Sequence, residues 1–157
     1  MKTGDAIAEI LKREGVDTII GYPVNRIFET AAAAKIRPVI VRQERTGVHM
    51  ADAISRVTSG KKIGVFAMQH GPGVENTLGA IAQAYSESVP ILVLPGGYDR
   101  RLAHVDPNFS SPRTMGTFTK SVEQLTSGAE VANVFRRAFT RSEEHTSELQ
   151  SHHDLVC

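Results

Sequence analysis

Residues 63–76 read Ile-Gly-Val-Phe-Ala-Met-Gln-His-Gly-Pro-Gly-Val-Glu-Asn, and this stretch decides the fold. The apolar run over Ile63–Met68 predicts a strand buried on both faces, which is typical of a parallel sheet. Gly71-Pro72-Gly73 ends the strand, and the pattern over Val74–Tyr85 predicts a helix. Since a buried strand leads into a helix, we expect candidate functional residues in the turn between them.

The same alternation of strand and helix extends in both directions along the chain. Together these elements predict an α/β fold, a doubly wound parallel sheet with helices on both faces. The remaining strands are expected at Thr18–Gly21, Pro38–Val41 and Ile91–Leu94, with Ser121–Leu125 as a candidate fifth strand. Helices are expected over residues 3–14, Arg26–Ala34 (opened by Asn25), Thr46–Ser59 and Ala129–Phe139, and residues 98–117 are expected to form a long loop.

Composition excludes several classes of protein. The 157 residues carry a net charge of +1, which argues against nucleic-acid binding. A single cysteine excludes a disulfide scaffold and a multi-cysteine metal site. No apolar run approaches the roughly 20 residues of a membrane span, and the first residues do not resemble a signal peptide. We therefore expect a soluble, cytoplasmic protein that binds neither nucleic acid nor membrane.

The last segment, residues 141–157, differs from the rest. It has one arginine against four acids, so residues 1–140 hold 17 of the 18 basic and 13 of the 17 acidic residues. Residues 141–151 are similar to the in-frame translation of a widely used sequencing adapter. We expect a domain over 1–140 and a non-native, disordered tail over 141–157. The alternative is a polar tail in which His145, His152, His153 and Cys157 bind metal.

In a parallel sheet, ligands bind beyond the carboxyl ends of the strands. Tyr22 and Pro23 follow the first predicted strand, and taken alone they fit an ordinary turn. Glu44 follows the second strand at the start of a helix, where the helix dipole favours an acid. It can act as a helix cap, pair with Arg45, or handle a proton as a partly buried acid.

Gln69 and His70 follow the third strand, before the two glycines that allow close approach of a ligand. His70 is either an accessible loop histidine or a general base, and Asn76 either caps locally or faces the same cleft. The phosphate-binding P-loop, the Gly-x-Gly-x-x-Gly fingerprint and the Gly-x-Ser-x-Gly elbow are all missing from the sequence.

Taken together, these strand ends resemble the N-terminal, pyrimidine-binding domain of thiamine diphosphate enzymes, in the acetolactate synthase and benzoylformate decarboxylase branch. The resemblance runs from about Met1 to Thr140. Its anchors are Gly21-Tyr22-Pro23, Arg42-Gln43-Glu44, Ala51-Asp52, Arg56, Gly60, Gly71-Pro72-Gly73-Val74-Glu75-Asn76, Ser88-Val89-Pro90 and Thr119-Lys120.

The resemblance implies a catalytic role for Glu44. In that family a glutamate at this position hydrogen-bonds a ring nitrogen of the aminopyrimidine, which helps the cofactor to form the ylid that attacks a 2-oxo acid. It also implies that Tyr22, Pro23, Gln69, Pro72 and Asn76 bind the cofactor, and that Gln69 and His70 face the substrate. The resemblance implies no metal ligand among the residues of this chain.

Several positions depart from acetolactate synthases. Val24 stands in place of a glycine, Gln69-His70 in place of Thr-Ser, and Phe109 is followed by two serines rather than Gln-Glu. A helical Asp-Gly-Tyr-Ala-Arg is here Asp52-Ala53-Ile54-Ser55-Arg56. These departures indicate another decarboxylase, lyase or carboligase of the branch rather than a housekeeping acetolactate synthase.

The family binds diphosphate and magnesium through a separate domain with a Gly-Asp-Gly signature, and this sequence has none. The resemblance therefore implies a piece of a longer, dimeric or tetrameric enzyme, and we expect the 157 residues alone to be inactive. A stand-alone subunit of a two-subunit decarboxylase and a non-catalytic interaction domain of the same fold remain as alternatives.

Overall fold

A computed structural model describes residues 2–23, 25–99, 101–102 and 105–147, with side chains as far as residue 142. The strands in these residues are β1 (Thr18–Gly21), β2 (Arg37–Ile40), β3 (Gly64–Met68) and β4 (Ile91–Pro95). The α-helices are α1 (Thr3–Arg13), α2 (Ile27–Ala33), α3 (Glu44–Val57), α4 (Pro72–Glu75), α5 (Leu78–Ser86), α6 (Ser111–Met115) and α7 (Val131–Ser147).

The four strands form one parallel sheet in the order β2-β1-β3-β4. Helices α1, α2 and α7 cover one face, where Leu11, Phe28 and Phe135 pack in one buried cluster. Helices α3 and α5 cover the other face, where Val48 and Ile81 pack in a second cluster. The predicted α/β fold, doubly wound with helices on both faces, is therefore confirmed.

A buried serine fastens α3 to the amino ends of two strands. Ser55 is 1% exposed, and its hydroxyl donates to the carbonyl oxygen of Pro90 at 2.6 Å. The hydroxyl oxygen of Ser55 in turn accepts from the backbone N–H of Gly64 at 2.9 Å. A Cβ on Gly64 would collide with the carbonyl group of Ala51, so glycine is required where β3 passes beneath α3.

The predicted fifth strand at Ser121–Leu125 is wrong, because the structure pairs these residues with no strand of the described chain. The single predicted helix over Val74–Tyr85 is two helices, α4 and α5. The hydroxyl of Thr77 donates to the Val74 carbonyl at 2.6 Å between them, a side-chain bond of the type that competes with regular helix. The predicted loop 98–117 contains α6.

Helix α7 is preceded by a 3₁₀ turn over Gly128–Glu130 and extends beyond the predicted end at Phe139 to Ser147. Ser142 is buried, and its hydroxyl donates to the Ala138 carbonyl at 2.9 Å.

Of the proposed tail ligands, His152, His153 and Cys157 lie outside the described residues, and only the backbone of His145 is described. None of the described helices has the length and apolarity needed to cross a membrane.

Candidate functional site

The strand order places a topological switch point between β1 and β3. The chain leaves β1 for β2 on one side and later returns to β3 on the other. A crevice forms at the carboxyl ends of such a strand pair, and ligands of open α/β sheets bind there. The backbone N–H of Tyr22 donates to the Ala67 carbonyl at 3.2 Å, so the Tyr22-Pro23 turn begins against the end of β3.

Glu44 is the first residue of α3 and is 7% exposed. Nδ2 of Asn76, the residue that follows α4, donates to its Oε2 at 3.3 Å. Among the described residues this is the only hydrogen bond of the Glu44 side chain, and no salt bridge to Arg45 is present. The fold therefore holds a buried acid at the positive end of a helix, and one of its oxygens has no partner in the part of the chain that the structure describes.

The loop between β3 and α4 carries Gln69 and His70. The φ angle of Gly71 is +62°, a conformation that favours glycine, and this allows the sharp change of direction before Pro72 opens α4. A Cβ on Gly73 would lie 2.8 Å from Cγ of Gln69, which shows that the Gln69 side chain folds against the start of α4.

His70 contacts an aromatic residue that the sequence analysis did not name. The ring centroids of His70 and Tyr98 are 4.1 Å apart, with the rings inclined at 54°. Tyr98 follows the Pro95-Gly96-Gly97 turn at the end of β4, a strand end where ligands are expected. An aromatic residue directly after that turn was the signal that could have identified it.

Asn25 makes a further link at this edge of the sheet. Its Nδ2 donates to the carbonyl of Met68 at 3.0 Å and to that of Leu94 at 3.1 Å. Its Oδ1 accepts from the backbone N–H of Ile27 at 3.1 Å. The sequence predicted only that Asn25 opens α2, and the structure shows that it also bridges the carboxyl ends of β3 and β4.

A cavity of about 390 Å³ lies beside β4. It is lined by the consecutive residues Leu92, Val93 and Leu94, and on another side by residues 121–125. Successive strand residues point to opposite faces of the sheet. Since the cavity is lined by all three of these strand residues, it lies along the edge of the sheet. Glu44 and Asn76 do not line it, so this cavity is separate from the buried acid.

The structure thus joins Glu44 to Asn76. It places Tyr22, Pro23, Gln69 and His70 in the turns at the same edge of the sheet, and Pro72 at the start of α4. The hydrogen bonds and ring contacts of the described residues do not join the side chains of Tyr22, Pro23 or Gln69 to Glu44. The described residues also contain no group of three or more His, Cys, Asp or Glu that could hold a metal ion.

Residues 1–133 match the family model described as thiamine pyrophosphate enzyme, N-terminal TPP binding domain. The acetolactate synthase large subunit of Parasynechococcus marenigrum is 39% identical over 102 residues, which cover 60% of this chain and 16% of that protein.

Two further relatives are similar to this chain. A probable acetolactate synthase large subunit of Methanocaldococcus jannaschii is 31% identical over 145 residues, covering 88% of this chain and 24% of that protein. A probable 2-ketoarginine decarboxylase of Pseudomonas aeruginosa is 40% identical over 97 residues, covering 60% of this chain and 17% of that protein. The chain therefore spans about a sixth to a quarter of the length of these relatives. With a parallel α/β fold and a family match over residues 1–133, the chain belongs to the thiamine pyrophosphate enzymes and contains their N-terminal cofactor-binding domain.

Proposed function

We propose that this chain supplies the pyrimidine-binding side of the active site in a thiamine diphosphate-dependent 2-oxo acid decarboxylase or carboligase. The observation that carries the proposal is the buried Glu44 carboxylate, which accepts one hydrogen bond from the described residues, donated by Asn76. An acid that is shielded from water and only partly satisfied by the protein is suited to hold a proton on a ligand.

The residues present fit the aminopyrimidine ring of the cofactor. That ring offers a nitrogen that can share a proton with a carboxylate, and Oε1 of Glu44 has no partner among the described residues. Asn76 holds Oε2 and so fixes the orientation of the carboxylate. Thiamine diphosphate, when bound, supplies the carbanion that adds to the carbonyl of a 2-oxo acid. Glu44 acts as the catalytic residue by holding the proton at the ring nitrogen.

The other residues at this edge of the sheet bind and orient the cofactor and the substrate. Tyr22 and Pro23 form part of the wall beside the cofactor ring, and Pro72 and Asn76 contact the pyrimidine. Gln69 faces the cofactor and the substrate, and His70 lies on the substrate side. Their support is their position in the turns of one sheet edge, together with the family resemblance of each motif.

The proposed substrate class is the 2-oxo acids, and the reaction class is that of a lyase or transferase. The supporting relatives are named as acetolactate synthases and a 2-ketoarginine decarboxylase. Gln69, His70 and the serines after Phe109 differ from the acetolactate synthase pattern, which favours another decarboxylase, lyase or carboligase of the branch.

We further propose that the site is completed by a diphosphate- and magnesium-binding unit from a second subunit, in a cytoplasmic homodimer or tetramer. The support is the absence of a Gly-Asp-Gly signature from this sequence. On this basis the 157-residue chain binds thiamine diphosphate weakly or not at all and does not turn over. Calorimetric titration with cofactor and magnesium tests this, and tight binding contradicts it.

A stand-alone subunit with a separately encoded diphosphate unit is the second candidate, and a non-catalytic interaction domain is the third. The retained acid, Glu44, argues against the third. The genomic sequence decides, because a continuing frame with Gly-Asp-Gly supports the first proposal and a stop codon supports the separate subunit.

The role of Glu44 is tested by Glu44→Gln in a full-length enzyme that carries this domain. We expect exchange of the thiazolium carbon proton, followed by NMR, to slow by at least about a hundredfold. Glu75→Gln is the matched control, because Glu75 is an exposed acid on α4 close in sequence to Asn76. Unchanged exchange in Glu44→Gln would remove Glu44 from the mechanism.

A further inference from the structure

We propose that Asn25 is a positioning residue that locks the start of α2 to the ends of β3 and β4, from which the Gln69-His70 loop and the turn before Tyr98 begin. The significance of this lock for catalysis rests on the proposed function, since the Gln69-His70 loop forms part of the proposed site. The hydrogen bonds themselves involve only residues of this chain and can be tested without cofactor.

The lock uses each polar group of the Asn25 side chain. The two N–H groups of Nδ2 donate to the carbonyls of Met68 and Leu94, at 3.0 and 3.1 Å, and Oδ1 accepts from Ile27 N–H at 3.1 Å. A primary amide has two N–H donors and a carbonyl oxygen that can accept two bonds, so this geometry uses both donors and one of the two acceptor positions. Asn25 therefore connects the start of α2 with the ends of β3 and β4.

The two carbonyl groups belong to positions that control the loops after them. Met68 is fully buried and directly precedes Gln69, and its carbonyl also accepts from Gly96 N–H at 2.8 Å. Leu94 lies four residues before Tyr98. By holding both carbonyls, Asn25 fixes the separation of the loops that bring His70 and Tyr98 into ring contact.

A substitution can separate the lock from the helix cap. Asp has nearly the same shape as Asn and keeps an oxygen that can accept from Ile27, but its carboxylate cannot donate to Met68 or Leu94. Asn25→Asp should therefore preserve the start of α2 and lose the bridge between the strands. Asn25→Ala should lose both.

The test is NMR on the 157-residue chain without cofactor. In the wild type we expect scalar couplings across the hydrogen bonds from Asn25 Nδ2 to the carbonyl carbons of Met68 and Leu94, and a nuclear Overhauser effect between the rings of His70 and Tyr98. In Asn25→Asp the nuclear Overhauser effect between the rings of His70 and Tyr98 should be lost, while the backbone amide signals of α2 remain. Absent couplings in the wild type, or an intact ring contact in Asn25→Asp, would overturn the proposal.

Asn108→Ala is the matched control, because Asn108 Nδ2 also donates to a backbone carbonyl, that of Leu102, at 2.8 Å. It should leave the His70–Tyr98 contact unchanged. In a full-length enzyme carrying this domain, Asn25→Asp should raise the KM for thiamine diphosphate by up to about a hundredfold. A merely structural residue would lower stability without this shift in KM, and an unchanged KM would overturn the catalytic part of the inference.

Failure of this inference can be told apart from failure of the proposed function. The couplings and the ring contact are measured with no cofactor present, so they depend on the lock alone. Unchanged proton exchange in Glu44→Gln would overturn the proposed function and would leave the NMR result for Asn25 untouched.

Discussion

Nδ2 of Asn76 lies 3.3 Å from Oε2 of Glu44, although the two residues are 32 positions apart in the chain. The bond connects the first residue of α3 with the residue that follows α4. Since both helices begin at the carboxyl edge of the sheet, the fold brings an acid and an amide together at the place where ligands of such sheets bind.

Changing Asn76 should reveal the contribution of this bond to stability. We expect Asn76→Ala to lower the free energy of unfolding by about 1 kcal/mol, because a partly buried carboxylate loses its donor. Asn76→Asp should lower it further, because two carboxylates then face each other. Urea denaturation at pH 7 measures both changes, and equal stability of the two variants would contradict the repulsion.

Ser55→Ala should be among the more destabilising single changes. Ser55 bridges the carbonyl of Pro90 and the N–H of Gly64 in the buried core. Removal of its hydroxyl leaves both groups without this partner, and we expect a loss of about 3 kcal/mol in the free energy of unfolding. Ser86→Ala is the control, because Ser86 is exposed and its hydroxyl donates to the carbonyl oxygen of Gln83 in the same helix. A similar loss in both variants would contradict this interpretation.

The pair formed by Glu123 and Arg137 predicts a pH dependence of stability. The Arg137 guanidinium donates to both oxygens of Glu123, at 2.8 and 2.7 Å, and holds the pKa of that carboxyl below its usual range. A carboxyl with a lowered pKa in the folded state stabilises the fold fully above its unfolded value of about 4.3. That contribution to stability is lost as the pH falls through the lower pKa that Glu123 has in the folded state.

Arg137→Gln should therefore lower the urea midpoint at pH 7, and the difference from the wild type should disappear in acid below the folded pKa of Glu123. Arg136→Gln is the control, since the guanidinium of Arg136 contacts the amide of Asn133 rather than an acid. A difference for Arg137→Gln that is constant from pH 7 to pH 3 would show that charge on Glu123 is not its cause.

Two glycine-to-alanine substitutions should change the stability of the fold in opposite directions. Gly79 lies in α5, and a Cβ there would meet nothing within 4 Å, so Gly79→Ala should stabilise the isolated chain by roughly 0.5–1 kcal/mol. Gly64→Ala would place its Cβ against the Ala51 carbonyl and should destabilise by about 2 kcal/mol or more. Thermal unfolding of both variants checks the signs, and a loss of stability in Gly79→Ala would contradict the open space at that position.

The sequence predicted the sheet well because its signals there are local. The buried strand expected at Ile63–Met68 is β3, shorter by one residue, and the expected helix at Thr46–Ser59 is α3, which begins two residues earlier at Glu44. Gln43 occupies the position before the helix and makes no side-chain cap, so only the acid Glu44 marks that early start in the sequence.

The parts that the sequence could not predict depend on contacts between distant residues. The pattern at Ser121–Leu125 suits a strand, but a strand needs a paired neighbour, and the cavity beside β4 occupies that side. Tyr98 and the bridging role of Asn25 likewise depend on how the ends of β3 and β4 are spaced. Local periodicity carries no information about that spacing. The position of Glu44 after a predicted strand was enough to name it as a candidate, and the structure places it, buried, at the start of α3.

Side-chain bridges hold β3 at both of its ends, Ser55 at Gly64 and Asn25 at Met68. Between them the strand is paired on both sides, with β1 and β4, and all five of its residues are buried. Such a strand has no frayed end from which local opening can start. The amide protons of β3 should therefore exchange with solvent only when the whole domain unfolds, and their exchange rates would report its global stability directly.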